Sequence, residues 1–110
     1  MTEPTPVDRA VRGVVRRAGR RVSVVGDVDQ ENWAPLADRV AEEIGAGAAE
    51  LDLTGVTYFG AAAVRMVLRG GDATPTGDTL RVTCRPAVYR VLRICQLTDV
   101  AGLDVTRTAA

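Results

Sequence analysis

The sequence predicts one α/β domain: a mixed β-sheet with helices packed over it, in the order β-β-α-β-α-β-α. Three observations carry this. The chain has 110 residues, enough for one core and too few for two. Two β-branched runs flank Ala18-Gly19, the pattern of a hairpin. Beyond them, apolar stripes at helical spacing alternate with short strand-like runs. Two successive β-helix-β units imply right-handed crossovers and partly parallel pairing. The domain is expected over residues 7–105, with flexible tails at 1–6 and 106–110.

The hairpin is expected over Val14 to Val25, with Gly26-Asp27-Val28-Asp29 ending its second strand. The first helix is the clearest periodic signal. Trp33, Leu36, Ala37, Val40, Ala41 and Ile44 form one stripe. Pro35 is tolerated only in a first turn, so the helix starts near Asn32 to Ala34. Gly45 and Gly47 stop it. Ala49 to Val56 reads as a central strand, with Gly55 marking a close approach or bend. The second helix is expected from Gly60 to about Arg69. Ala61, Val64, Val67 and Leu68 face inward, Arg65 and Arg69 outward, and Gly70-Gly71 ends it. Thr79 to Cys84 alternates as a strand. Pro86 opens a third helix, with stripe Val88, Val91, Leu92 and Cys95, that closes near Gln96. Val100 to Val105 adds a short edge element.

Composition excludes several classes. Formal net charge is zero, which advertises neither nucleic acid nor membrane. No apolar run is long enough to span a bilayer, and Met-Thr-Glu-Pro-Thr-Pro lacks a signal-peptide layout. A cytoplasmic location is therefore expected. With no histidine, serine or cysteine nucleophiles lack their commonest base, and no enzyme is expected. No cofactor or metal is expected either. Cys84 and Cys95 read as two buried thiols rather than a disulfide or half of a zinc site.

Other clusters have plain readings. Arg16, Arg17, Arg20 and Arg21 form a solvated hairpin tip that discourages edge pairing. No aromatic residues interleave with them, which argues against a single-strand platform. Asp27 and Asp29 have the types for a cation or a carboxylate pair, but Asp29 better suits the start of helix 1. Glu42 and Glu43 point different ways on a helix. Gly45-Ala46-Gly47-Ala48-Ala49 precedes a strand, whereas a dinucleotide fingerprint follows one.

Leu51-Asp52-Leu53-Thr54-Gly55-Val56, followed by Gly60-Ala61-Ala62-Ala63 and an apolar helix, resembles the core of the STAS domain. This is the module of bacterial anti-sigma-factor antagonists. Gly26-Asp27-Val28-Asp29 resembles the family's Gly-x-x-Asp. Pro86-Ala87-Val88-Tyr89-Arg90-Val91-Leu92 resembles its closing helix. The match covers roughly residues 22 to 100. The family usually carries Asp-Ser-Ser-Gly where this chain has Gly60 to Ala63, and its second serine is the phosphorylation target. Ala62 stands there without an oxygen, and Ser23 is the only serine in the chain.

The resemblance implies a non-catalytic regulatory module. Its partner would be an anti-sigma factor or another protein with a kinase-type fold. No direct nucleic-acid contact or membrane insertion is implied, and a homodimer is possible. The implied partner surface is Asp27, Asp29, Tyr58, Gly60, Ala61, Ala62, Ala63, Arg65 and Arg69. Phe59 is read as core. Transfer of a phosphoryl group needs a hydroxyl, so this surface would be presented permanently. The plain reading of the alanines is close packing of helix 2 on the sheet. The family also includes cytoplasmic accessory subunits of phospholipid-type ABC transporters, the alternative role. A stand-alone ligand-binding domain is a third.

Overall fold

The computed structural model describes residues 12–109. The expected tail at 1–6 lies outside them. The elements are β1 (Val14–Ala18), β2 (Arg21–Val28), α1 (Trp33–Gly45), β3 (Glu50–Phe59), α2 (Val64–Ala73), β4 (Leu80–Cys84), α3 (Pro86–Ile94) and β5 (Leu103–Arg107). The strands lie in sequence order. β1 and β2 are antiparallel, and β2 through β5 are parallel. This is the mixed sheet that the hairpin and crossovers require.

One face of the sheet carries the core. Val22, Val24 and Val28 of β2, Leu51 and Leu53 of β3, and Leu80, Val82 and Cys84 of β4 are all essentially inaccessible. They meet Leu36, Val40 and Ile44 from α1, Met66 and Val67 from α2, and Val88 and Leu92 from α3. Alternation in each strand sends the intervening residues to the other face. There Arg21, Glu50, Arg81 and Asp104 stand side by side across four strands, alternating in sign. Arg21 and Arg81 lie 3.3 Å and 3.6 Å from the Glu50 carboxylate. That face is solvated, so each pair contributes at most about 1 kcal/mol.

Gly19 takes φ +58 in the hairpin turn, and Gly47 takes φ +116 where α1 ends. Both conformations disfavour a side chain. A β-carbon on Gly55 would lie 3.0 Å from Val25 Cγ1, beside a register shift between β2 and β3. Gly55 thus marks the close approach its sequence context predicts.

The structure departs from expectation in five places. β3 continues three residues past Val56, because it keeps pairing with β2 as far as Val28↔Phe59. Helix 2 begins with a 3-10 turn over Ala61–Ala63 and runs through Gly70-Gly71 to Ala73. Those glycines bring the helix down onto its neighbours. A β-carbon on Gly70 would sit 3.1 Å from Leu80 Cδ2 and 3.2 Å from Ile44 Cδ1. Leu68 is 42% exposed and does not face inward. Cys95 is exposed, not buried. α3 stops at Ile94, Gln96 turns back with φ +64, and Leu97 takes the buried place instead. β5 ends at Arg107, and the Thr108 N–H donates to the Cys84 carbonyl at 2.8 Å. Ordered structure therefore passes the expected boundary at 105.

The hairpin tip is also not wholly solvated. Arg17 donates to the Glu43 carboxylate at 2.8 Å and to its backbone carbonyl at 3.0 Å, tying β1 to α1. Arg39 donates to the same carboxylate at 2.9 Å. Its hydrogen bond, then that of Arg17, holds the Glu43 carboxyl below its ordinary value.

Candidate functional site

Parallel strands followed by helices place several loops at one end of the sheet, beyond the strand C-termini. In open α/β sheets this end is where binding groups gather. Here it collects the β2–α1 loop, the end of β3, the Ala61–Ala63 turn and the start of α3.

The β2–α1 loop is held by its own side chains. The Asp29 carboxylate accepts the N–H groups of Glu31 (2.9 Å) and Asn32 (3.0 Å). It also lies 3.8 Å from Arg12. Asn32 is buried, accepts the Asp29 N–H at 2.7 Å and donates to the Asp27 carbonyl at 2.8 Å. Asp27 accepts the Thr57 hydroxyl at 2.5 Å across the β2–β3 pair. Both aspartates are therefore engaged, but Asp29 ties the loop ahead of α1 rather than capping it: the N-cap position is Asn32, and no side chain caps the helix. The role of Asn32 and the bond between Thr57 and Asp27 escaped the sequence reading. The signal for Asn32 was present: Asp29-Gln30-Glu31-Asn32 offers two capping residues just ahead of a helix.

Gly60 joins this loop to helix 2. Its N–H donates to the Val28 carbonyl at 2.9 Å. Its chain then enters the 3-10 turn, in which Ala61 is exposed, Ala62 half-buried and Ala63 inaccessible. No side chain caps either this turn or α2. Tyr58 is 57% exposed and its ring lies across Gly60. A β-carbon there would approach Tyr58 Cε2 to 3.1 Å. Phe59 is half-buried against the core.

The two arginines of α2 fold back onto α1. The Arg65 guanidinium stands 5.4 Å from the Trp33 ring centroid, a cation–π contact. Arg69 pairs with Asp38 at 2.8 Å. Asp27, Asp29, Tyr58, Ala61, Ala62 and the Arg65–Trp33 pair thus share one end of the domain. Arg69 lies a turn further along α2. Gly60 and Ala63, expected as contact residues, are buried and support this surface from beneath.

The surface offers contact chemistry. Its hydroxyls are those of Thr57 and Tyr58, and Ala62 presents a methyl group. Among the described residues no three acidic or cysteine side chains gather as metal ligands. Nor is any described helix long and apolar enough to cross a membrane.

The fold is that of a small α/β module of the STAS type. The family model described as "Mlab, STAS domain" matches residues 14–105, and the chain belongs to the STAS-domain family. No curated protein matches it. Among solved structures it is similar to the crystal structure of an anti-sigma factor antagonist from Mycobacterium paratuberculosis. The two share 19% identity and a TM-score of 0.71, over 96% of this chain and 91% of that one. At that identity the likeness speaks for the fold.

Proposed function

We propose that the protein is a non-catalytic regulatory module, similar to an anti-sigma-factor antagonist. It binds an anti-sigma factor or related kinase-type partner without a serine phosphorylation switch. The observation that carries this reading is Ala62. It sits half-exposed in the turn that opens helix 2, beside Tyr58 and the loop fixed by Asn32. A methyl group there cannot accept a phosphoryl group. The surface therefore stays in the form that binds. Asp27 and Asp29 border it, and Ala61 and Ala62 form its centre. Arg65, held over Trp33, forms its far side, and Arg69 extends it along α2.

A phosphate at this point would add a charge of about −1.5 to −2 and alter the contact. Without an acceptor, regulation falls to the abundance of the protein or of its partner. A second reading, an accessory subunit of a phospholipid-type ABC transporter, is the other role the family resemblance implies.

Calorimetric titration tests the first reading. Purified protein is titrated into a kinase-type anti-sigma factor and, separately, into a transporter ATPase subunit. Binding to the first that Ala62→Glu abolishes supports the proposal. Binding only to the second transfers the surface to the alternative role.

A further inference from the structure

A second feature lies around the corner from Ala62. Beyond Asp52, β3 has no register partner on β4, because that pairing ends at Asp52↔Thr83. The free half of β3 and the first turns of α3 enclose a groove of about 310 Å³, lined by Tyr58, Phe59, Arg85, Ala87 and Val91 among others. That volume admits a large apolar side chain. The rim continues along α3. Ala87, Arg90, Val91 and Ile94 recur at i, i+3, i+4 and i+7, hence on one face. Ile94 is 74% exposed, the most exposed large apolar side chain described.

The charge here is one-sided. Between Asp78 and Asp99 the chain holds Arg81, Arg85, Arg90 and Arg93 and no acidic residue. Arg81 turns to Glu50 on the open face of the sheet. Among the described residues, the ion pairs of this protein involve none of Arg85, Arg90 and Arg93. Asp27, which reaches the groove wall through Thr57, is already hydrogen-bonded there. A neutral protein thus sets Arg85 in the lining of its apolar groove and Arg90 on the adjoining face of α3, neither of them in an ion pair among the described residues.

The geometry points to a docking site in which the β3–α3 groove receives an acidic amphipathic helix of a protein partner. One large apolar side chain enters between Tyr58 and Val91, a second covers Ile94, and carboxylates meet Arg85 and Arg90. Helix-in-groove binding uses this i, i+3/i+4, i+7 anchor spacing. Two other occupants fit less well. A second copy docking by two-fold symmetry would bring Arg85 and Arg90 against their own counterparts. An anionic membrane suits a protruding basic amphipathic face, whereas this feature is concave. The groove shares Tyr58 with the Ala62 surface, but the inference does not rest on the reading of that surface.

Fluorescence anisotropy tests it, with the whole protein and labelled helical peptides of about 16 residues, or roughly four turns. One peptide carries Phe and Leu at i, i+4 and i+7 with Glu elsewhere. Its counterpart replaces every Glu by Lys. The acidic peptide should bind, and more weakly as salt rises. Ile94→Ser and Arg90→Glu should each weaken it about tenfold or more. Both positions are exposed, so circular dichroism should show the fold unchanged. Arg65→Glu, on the other surface, should leave peptide affinity intact. Absence of binding, equal binding of the Lys peptide, or indifference to Ile94→Ser overturns the inference. So does an Ile94-dependent dimer in sedimentation, or Arg90-dependent binding to phosphatidylserine vesicles without peptide binding.

Discussion

Gly70→Ala gives the sharpest test of how helix 2 is seated. Gly70 lies inside α2, where alanine is favoured over glycine by about 1 kcal/mol on helix propensity alone. Packing opposes that gain. The added β-carbon would lie 3.1 Å from Leu80 Cδ2 and 3.2 Å from Ile44 Cδ1, both tighter than ordinary contact. Leu80 is 0% and Ile44 2% exposed, so neither has free space to enter. Overpacking of this kind costs about 1–3 kcal/mol. The net expectation is a loss of about 1 kcal/mol, or roughly 4–8 °C in Tm for a domain near this size. Gly71→Ala is the internal control. The nearest atoms to its β-carbon would all belong to Leu103, 3.1 Å away at Cδ2, a 9% exposed residue on the edge strand β5 rather than in the fully covered centre. It should be neutral or stabilising by about 0.5 kcal/mol. Urea and thermal unfolding, followed by circular dichroism, measure both variants. If Gly70→Ala stabilises as much as Gly71→Ala, helix 2 is not clamped between α1 and β4, and the packing argument fails.

Other substitutions probe the remaining links. Asn32→Leu removes two hydrogen bonds, the one from the Asp29 N–H and the one to the Asp27 carbonyl. A loss of about 2–4 kcal/mol is expected in urea, and a change below about 0.5 kcal/mol would contradict the knot at this loop. In the native protein a thiol reagent should modify Cys95 quickly and Cys84 only on unfolding, since burial pushes the Cys84 thiol up to about 11. Two equally fast thiols would contradict that placement. Because that pKa is raised above the ordinary 9.0, Cys84 adds stability below pH 9 that is lost as pH climbs toward 11. Glu43 has the opposite sign. Its lowered pKa adds stability above its ordinary 4.5, lost as pH falls through the folded value. Glu43→Gln should therefore flatten the acid limb of the stability profile, and an unchanged limb would show that its arginines hold it weakly.

Periodicity made α1 legible because its stripe is continuous and its ends carry Pro35 and Gly47. The β-hairpin was legible for a similar local reason, the turn at Gly19. Gly70-Gly71 misled because glycine has two uses. The local rule reads a helix stop, while tertiary packing here uses the missing side chains to bring α2 against Leu80 and Leu103. Cys95 misled because the stripe on α3 extrapolates past the point where Gln96 reverses the chain. Arg17 and Glu43 are 26 residues apart, so no window of sequence pairs them. At the site, motif order put Ala62 at the opening of helix 2, and the turn Ala61–Ala63 lies there. It gave no sign that Gly60 and Ala63 are covered, because burial depends on Tyr58 and the core rather than on neighbours in the chain. The groove beside α3 was invisible for the same reason: it exists only because β3 outruns β4.

The most direct measurement is intact-protein mass after incubation with ATP and a kinase-type anti-sigma factor, paired with titration of the two proteins before and after. The wild type should keep its mass and its affinity, while Ala62→Ser should gain one phosphate and lose binding. A stoichiometric phosphate on wild-type Thr57 or Tyr58, with binding abolished, would contradict the account.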